Sequence, residues 1–274
     1  MLPIAEYDYH LPPELIAQTP AEPRDHSRLL VLRRDSGQLE HRRFYDVLRY
    51  LRPDDLLVVN DSRVLPARLH GAKASGGRIE ILLLRQIDAQ RWEALVRGKV
   101  AVGAALEFRS QKSEARSQEP GDEEPEMLRA TVDELLPSGS RVLRFDRPIN
   151  DLLPDYGVMP TPPYITAPLG DPERYQTVYS SNLGSAAAPT AGLHWTPELI
   201  ERARAAGVRW ASVTLHVGLD TFRPVQVDNA LEHEMHSEWF ELPAATADAI
   251  NATRAAGGRV IAVGTTSVRV LETA

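Results

Sequence analysis

Residues 56–63 read LLVVNDSR, and this stretch decides the fold. Leu56–Val59 is a run of apolar residues without alternation, which is typical of a strand covered on both faces of a sheet. The strand ends in polar residues, and α/β proteins commonly place ligand contacts at such strand ends. The stretch therefore predicts a buried strand of an α/β sheet, with candidate ligand contacts at Asp61, Ser62 and Arg63.

Helices and strands alternate after residue 196. Thr196 is a suitable N-cap and proline suits the first helical position, so the sequence predicts a helix over Pro197–Ala206. A strand over Val208–Val217, a helix over Ala244–Ala256 and a buried strand over Arg259–Val263 follow. This order predicts a mixed-sheet α/β domain.

Between these regions the chain is rich in short strands separated by turn residues. The pattern predicts a small antiparallel β-barrel inserted into the α/β domain. We assign 1–63 and 151–274 to the α/β domain and 64–150 to the insert. Within the insert, Ser110–Glu126 is almost free of apolar residues and is predicted to be a loop. The predicted strands are Val64–Leu69, Arg78–Arg85, Arg91–Arg97, Ala105–Phe108, Met127–Val132 and Ser140–Phe145.

The composition narrows the possible functions. The 274 residues are 43% hydrophobic and 25% charged, as in ordinary globular proteins, and allow about two domains. Cysteine is absent, which excludes disulfides, thiolate catalysis and cysteine-ligated metals. The sequence shows no apolar run that spans a membrane and no signal-peptide pattern, so we expect a cytoplasmic protein.

The net charge of −7 argues against nonspecific coating of nucleic acid. Arginines are nevertheless concentrated between Arg24 and Arg68, so one face can be positive on an acidic molecule. A solvated arginine-rich surface is the alternative interpretation.

Residues 184–195, GSAAAPTAGLHW, suit a loop rather than a regular element. Glycine and small side chains let another group approach the backbone closely, so the loop is a candidate cradle for a small molecule. Its candidate contacts are Pro189, Thr190, Gly192 and His194. A tight connecting loop with a packed His194 remains the alternative.

Gly264, Thr265 and Thr266 lie between a predicted strand and a predicted helix start. Free N–H groups and the positive end of the helix dipole at such a point suit a carboxylate or phosphate. Ordinary helix capping explains the same residues about as well.

Histidines and a glutamate near residue 230 are candidates for acid–base chemistry or metal binding. The spacing of His233 and His236 is compatible with a metal pair on a helix, but the neighbouring Trp239 and proline favour extended backbone. For the set His216, His233, His236 and Glu238 we therefore rank satisfied polar residues, or a proton-transfer site, above metal ligation.

The motifs, taken together, closely resemble the S-adenosylmethionine:tRNA ribosyltransferase-isomerase family of queuosine biosynthesis. The resemblance runs from the first ten residues to the last. The motifs in chain order are YDYHLP, RDHSRLLVL, NDSRVLPARL, MPTPPYI, GSAAAPTAGLHWT, TLHVGLDTFRPV, EHEMHSEWF and VIAVGTTSVRVLE.

The resemblance implies transfer and isomerisation of the ribosyl group of S-adenosylmethionine onto 7-aminomethyl-7-deazaguanine at the tRNA wobble position. The product is epoxyqueuosine, and adenine and methionine leave. It also implies an α/β domain with a β-barrel insert, no metal and no cofactor, with S-adenosylmethionine as a substrate. We further expect a monomer.

The chemistry suits the candidate residues. A sulfonium acidifies the adjacent ribose carbon, so the reaction needs a general base and a group that helps adenine depart. His216, His194 and His236 are candidates for the base or acid, and Glu238 for holding the ribose or balancing the sulfonium charge. The methionine carboxylate is expected at Gly264–Thr266.

The chain departs from the family pattern at several points. Asp54 and Asp220 stand at turn positions where the pattern has glycine, and Asp tolerates left-handed backbone better than most residues. Trp195 replaces a usual Phe. The sequence stops at Ala274, before further α/β sequence with a TNFHLP-like motif, so an active site completed by that segment would be open.

Two other function classes are alternative hypotheses. One is a metal-dependent hydrolase built on His216, His233, His236 and Glu238. The other is a non-catalytic or incomplete RNA-binding fragment that uses the barrel and the arginine-rich region.

Overall fold

The computed structural model describes residues 1–110, 126–218, 225, 227–233, 235 and 237–274. They form two compact units. The first comprises Met1–Arg63, Pro162–Leu183 and Ala188–Ala274, and the second comprises Val64–Thr161 and Gly184–Ala187.

The strands are β1 (Arg28–Leu32), β2 (Leu39–Arg43), β3 (Leu56–Asn60), β4 (Ser62–Val64), β5 (Arg68–Lys73), β6 (Arg78–Gln86), β7 (Arg91–Arg97), β8 (Ala105–Arg109), β9 (Met127–Leu135), β10 (Arg141–Phe145), β11 (Gly157–Val158), β12 (Asn182–Ser185), β13 (Arg209–Leu215), β14 (Phe240–Glu241) and β15 (Val260–Val263). The α-helices are α1 (Leu153–Tyr156), α2 (Pro197–Ala205), α3 (Ala244–Ala255) and α4 (Thr265–Thr273). The 3-10 helices are Ile4–Tyr7, Pro13–Leu15, Arg24–His26, Phe44–Tyr50, Pro172–Tyr175, Thr190–His194 and Ala230–Glu232.

The first unit is built on a four-stranded mixed sheet with the order β14-β13-β3-β15. β13 and β15 run parallel to β3 on either side of it, and β14 is antiparallel to β13. Every residue of β3 is buried, because the strand lies inside the sheet. The predicted mixed-sheet α/β fold is thus confirmed.

The edge strand β15 differs from its prediction as a buried strand. Its residues are only partly buried. In the described sheet β15 pairs with β3 alone, so one of its sides lacks a neighbouring strand.

Helix α2 begins as its sequence predicts. The Thr196 hydroxyl accepts a hydrogen bond from the N–H of Leu199 (3.1 Å), with proline in the first helical turn. The apolar face of the helix packs Leu199 and Ile200 against Leu57 and Trp195. This packing anchors the loop that precedes the helix.

Six antiparallel strands of the second unit form a closed barrel in the order β5-β6-β7-β10-β9-β8, because β8 also pairs with β5. Alternate residues of these strands point inward, as in β6, and form one apolar core that includes Ile81, Leu83, Phe108 and Phe145. The predicted antiparallel barrel is confirmed.

The sequence analysis was wrong about the entry strand of the barrel. We expected one strand over Val64–Leu69, whereas β4 ends at Val64 and β5 begins at Arg68. Pro66 lies between them, and proline has no N–H for a ladder bond.

Residues 151–161 cluster with the barrel unit, although we had assigned them to the α/β domain. Leu153 and Tyr156 belong to the barrel core, and Gly157 and Val158 pair with β5. Apolar packing thus extends this unit beyond residue 150.

Asp54 adopts left-handed backbone, with φ of 69°, at the turn where the family pattern has glycine. Among the described residues it is the one non-glycine residue with a positive φ. The expectation that an Asp here must tolerate this conformation is confirmed. Asp220 and residues 111–125 of the predicted Ser110–Glu126 loop lie outside the described residues.

In the described ranges, the helices are too short or too polar to cross a membrane.

Candidate active site

The carboxyl ends of β3 and β13 meet at one edge of the sheet because the two strands are parallel. Asn60, the last residue of β3, is completely buried and ties these ends together. Its Nδ2 donates to the carbonyl of Leu215 (3.0 Å), and its Oδ1 accepts from the N–H of Leu215 (3.0 Å) and of Ser62 (3.1 Å). Asn60 therefore fixes where the chain leaves the sheet.

Asp61 follows at this edge. Its N–H donates to the carbonyl of Val213 (2.9 Å), and its Oδ1 accepts from the Thr214 hydroxyl (2.7 Å) and from Asn182 Nδ2 (3.0 Å). Neither side-chain partner carries a charge, and within the described part of the chain Asp61 forms no salt bridge. Its carboxylate is therefore held in place by neutral groups.

His216 follows the end of β13. Its N–H donates to the carbonyl of Trp239 (3.1 Å), and its ring stacks on the Trp239 indole with centroids 5.0 Å apart and planes 19° apart. Nδ1 is buried and has no hydrogen-bond partner among the described residues. Burial lowers the pKa of His216 from its ordinary 6.5, and the Asp61 charge partly opposes this shift. At neutral pH the ring is therefore a neutral imidazole that can accept a proton.

The Glu238 carboxylate is bound on both oxygens. Oε1 accepts from the N–H of Gly218 (2.8 Å), and Oε2 accepts from Arg269 Nη1 (2.7 Å). Its side chain is only 5% exposed. This arrangement joins α4 to the chain after β13, and it compensates the negative charge that we had expected to face the substrate.

Helix α4 begins directly after Gly264, and no side chain in the described ranges caps it, so among these residues its first N–H groups are left for another partner. The Thr266 hydroxyl is buried without a partner among the described residues, and Thr265 is exposed. Gly264 has a φ of 90°, and a Cβ there would lie 3.1 Å from the Cβ of Ala191. The start of α4 and the Thr190–His194 segment are thus in contact.

Gly192 lets an aromatic ring approach that segment closely. A Cβ on Gly192 would overlap the Tyr179 hydroxyl and come within 2.9 Å of the Thr177 methyl group. Burial raises the pKa of Tyr179, and the Asp61 charge raises it further. Asp61 therefore acts on both Tyr179 and His216, and the loop and the strand ends belong to one neighbourhood. Pro189 is buried in this loop and Thr190 is exposed.

His194 faces a different set of residues. Its Nδ1 lies 3.1 Å from the carbonyl of Ala191 and so donates to it, and its ring packs on Phe44 with centroids 5.1 Å apart. It lines a cavity with Arg24 and Arg174, and that lining includes neither Asp61 nor His216. This cavity thus places His194 apart from His216.

The three consecutive strand-end residues do not share one environment. Ser62 is completely buried, and its hydroxyl is unpartnered in the part of the structure that is described. Arg63 forms an ion pair with Glu173 and donates to the Ser180 hydroxyl (3.0 Å). Of the three, only Asp61 is shown to bind the side chains of Thr214 and Asn182.

The proposed metal ligands are not gathered in the described structure. His233 is exposed, and His236 lies outside the described residues. Across the described ranges, no group of three or more His, Asp or Glu side chains is close enough to hold a metal ion.

Several residues of this neighbourhood were missed by the sequence analysis, namely Asn182, Tyr179 and Arg269. Asn182 is 121 residues from its partner Asp61, so no local pattern links the two. The small residue Gly192 was the one signal that something packs closely on the loop.

Comparisons with known proteins show the family of the chain. The model of the family described as queuosine biosynthesis protein matches residues 4–274. An S-adenosylmethionine:tRNA ribosyltransferase-isomerase from Moorella thermoacetica is 52% identical, over 98% of this chain and 76% of its own length. The protein of the same name from Staphylococcus saprophyticus is 50% identical, with the same coverage.

A solved structure is also similar, the S-adenosylmethionine tRNA ribosyltransferase from Thermotoga maritima. It is 38% identical, and the match covers 98% of this chain and 72% of that one, with a TM-score of 0.44. The family match and the identities to the curated relatives establish membership. The chain therefore belongs to the queuosine biosynthesis family and to its enzymes, the S-adenosylmethionine:tRNA ribosyltransferase-isomerases.

Proposed function

We propose that this chain transfers the ribosyl group of S-adenosylmethionine to the amine of 7-aminomethyl-7-deazaguanine at the wobble position of a tRNA. Isomerisation of the group gives epoxyqueuosine, and adenine and methionine leave. The observation that supports a site for this chemistry is His216: a half-buried imidazole with an unpartnered Nδ1, next to the held carboxylate of Asp61.

His216 is the general base of this proposal. The sulfonium acidifies the ribose carbon bonded to sulfur, and a neutral imidazole of lowered pKa is ready to remove a proton at neutral pH. Proton removal gives the imidazole a positive charge in a partly desolvated place. The nearby Asp61 carboxylate stabilises that charge.

Asp61, rather than Glu238, balances the sulfonium. Glu238 is already compensated by Arg269, whereas the side-chain partners of Asp61 are the neutral groups of Thr214 and Asn182. A cationic substrate that approaches this edge therefore meets an uncompensated carboxylate. Glu238, which we had expected to hold the ribose or to balance the sulfonium charge, stabilises the site instead.

The methionine carboxylate binds at the start of α4 in this proposal. The uncapped N–H groups after Gly264 and the unpartnered hydroxyl of Thr266 are hydrogen-bond donors that suit an anion. Because Ala191 lies against Gly264, the loop 189–194 forms a wall beside this group.

The tRNA is proposed to bind the face that carries the arginines of the first unit. Several of them are already paired, since Arg33 and Arg42 contact Glu40 and Arg49 contacts Asp46. Affinity is expected to fall as salt rises, with a slope set by the arginines that contact phosphate. A flat salt response would count against this surface.

The direct test incubates the chain with S-adenosylmethionine and tRNA that carries the deazaguanine amine, while adenine release and the mass of the RNA are measured. We expect adenine release together with a mass gain on the RNA, and neither with tRNA that lacks the amine at the wobble base. Binding of tRNA without adenine release would favour a non-catalytic RNA-binding protein. Activity that depends on stoichiometric zinc would favour the metal-dependent hydrolase.

A further inference from the structure

A cavity of about 390 Å³ lies on the first unit, lined in part by Arg24, Ser27, Arg174, Thr190 and His194. Its volume is in the range of pockets that bind small molecules or parts of larger ones. The reaction proposed above does not use this cavity. Its lining combines two guanidinium groups with two hydroxyl groups.

Arg24 is fixed by the backbone. Its Nη1 donates to the carbonyl of Gln176 (2.6 Å), and its Nη2 donates to the carbonyl of Glu173 (2.8 Å). Nη1 also donates to the carbonyl of Leu193 (3.5 Å), so three of the five N–H donors are used. The guanidinium is therefore held rigidly, with hydrogen-bonding capacity left over.

Arg174 brings a second positive charge to the same cavity. Its Nη2 donates to the carbonyl of Ala21 (2.7 Å), which holds this guanidinium too. Burial lowers the pKa of Arg24, and the charge of Arg174 lowers it further. Three carboxylates oppose this shift in part through their charges, namely those of Glu22, Asp171 and Glu173. The two cations therefore repel each other with partial compensation. Their juxtaposition costs stability, and an anion between them would relieve it.

The nearby carboxylates leave room for such an anion. Glu22 contacts Arg174 at 3.1 Å, but its side chain is 76% exposed and can move into solvent. Asp171 accepts from the N–H of Glu173, and the Glu173 carboxylate pairs with Arg63. Two of these three acids are thus engaged with other groups.

The hydroxyl groups complete a set of donors. Ser27 Oγ is buried and has no partner in the described ranges, which is a cost unless a ligand satisfies it. Thr190 is exposed at the same cavity. Two guanidinium groups with adjacent hydroxyls are typical of phosphate recognition, where arginine donates to two oxygens at once.

We propose that this cavity binds a backbone phosphate of the tRNA substrate. The proposal rests on the proposed function, in which the chain binds tRNA. The loop Thr190–His194 contributes Thr190 and His194 to the cavity, and its Ala191 lies against Gly264 at the start of α4. A phosphate bound here therefore contacts the same loop that borders the proposed S-adenosylmethionine site.

The test measures equilibrium binding of a fluorescently labelled, unmodified tRNA at several salt concentrations, without turnover. Arg174→Gln removes one charge of the cavity. Arg204→Gln is the matched control, because Arg204 lies on α2 and pairs with the exposed Glu201. Both variants change the net charge equally, and thermal unfolding checks that both are folded.

We expect Arg174→Gln to weaken tRNA binding about tenfold and to reduce the salt slope by about one. Ser27→Ala removes a donor without removing charge, so it weakens binding about threefold with an unchanged slope. Arg204→Gln binds like the wild type. The Michaelis constant for S-adenosylmethionine stays unchanged in all three variants.

Equal tRNA affinity and slope in Arg174→Gln and Arg204→Gln would overturn the proposal, as would unchanged binding in Ser27→Ala. A raised Michaelis constant for S-adenosylmethionine with unchanged tRNA binding would also overturn it, because the cavity would then hold the methionine carboxylate. If the wild-type chain binds no tRNA, the proposed function fails as well. If it binds tRNA but Arg174 has no effect, the phosphate site alone fails.

Discussion

The two units differ in what they bury. The interior of the barrel unit is a continuous apolar core, whereas the α/β unit buries many polar side chains, some of them at strand ends. Buried polar residues of the barrel unit are Ser110, Ser140 and Ser185. Those of the α/β unit are Asp55, Asn60, Ser62, Gln176, Thr177, Thr214, Thr246, Thr253 and Ser267.

This difference supports the placement of the proposed reaction in the α/β unit. Buried polar groups add little net stability and cost free energy when they are unpaired, so a fold keeps them where function needs them. Among the described residues, unpartnered buried atoms lie in the α/β unit, such as His216 Nδ1 and the Thr266 hydroxyl, and also in the barrel unit, at Arg68 Nε and Trp92 Nε1. In the proposed function, the α/β unit supplies the reacting groups and the barrel supplies stability.

The largest expected effect is that of His216→Asn. The substitution removes the proposed base, so kcat should fall by about 10²- to 10⁴-fold. The packing that it removes is the stacking on Trp239, which is exposed, so the melting temperature should stay near that of the wild type. The rate of adenine release measures kcat, and thermal unfolding measures the melting temperature. Unchanged turnover would remove His216 from the mechanism.

Phe108→Ala should lower the stability and leave kcat unchanged, which is the reverse of the effect of His216→Asn. Phe108 is completely buried in the barrel core, and its truncation leaves a cavity, so we expect a loss of about 3 to 5 kcal/mol in the free energy of unfolding. Urea denaturation measures the loss, and kcat per folded molecule should be unchanged. Leu135→Ala is the control on the same barrel, because Leu135 is exposed and its truncation should cost less than about 0.5 kcal/mol.

Glu238→Gln tests whether a buried carboxylate of the α/β unit stabilises the fold or contacts the substrate. The substitution leaves Arg269 without its carboxylate, and because Arg269 is partly exposed we expect a loss of about 2 kcal/mol in unfolding free energy. A double-mutant cycle with Arg269→Gln should recover a favourable coupling energy between the two. A stable variant that has lost activity would instead mean that Glu238 faces the substrate.

Asp54→Gly has the smallest expected effect. Glycine adopts the φ of 69° without steric cost, so the variant should gain about 0.5 to 1 kcal/mol in unfolding free energy, less than the full left-handed penalty because glycine also adds entropy to the unfolded chain. The midpoint of urea denaturation measures the gain. Asp54→Ala is the control and should lose stability at the same position, and a gain in that variant would contradict the steric explanation.

The sequence allows prediction of features that depend on neighbouring residues. The apolar run at Leu56–Val59 predicts the central strand, and Thr196 predicts the start of α2. Short apolar stretches separated by turn residues predict the barrel insert, and the polar residues after Val59 predict the polar strand end. These patterns need only local spacing and side-chain chemistry.

Pairings between distant residues could not be predicted in this way. Glu238 binds Arg269 across 31 residues, and Asn182 binds Asp61 across 121. Such contacts depend on strand order and on the path of loops, which periodicity does not encode. For this reason the separation of His194 from His216 and the compensation of Glu238 emerged only from the structure.

The most direct test of the central claim is the pH dependence of adenine release by the wild type and by His216→Asn. A base whose pKa is lowered by burial is deprotonated above that pKa, so the wild-type rate should fall with acid along a limb centred below pH 6.5. The residual rate of His216→Asn should lack this limb. The same limb in the variant, or a wild-type limb centred above pH 6.5, would contradict the assignment of the base to the imidazole at the strand end.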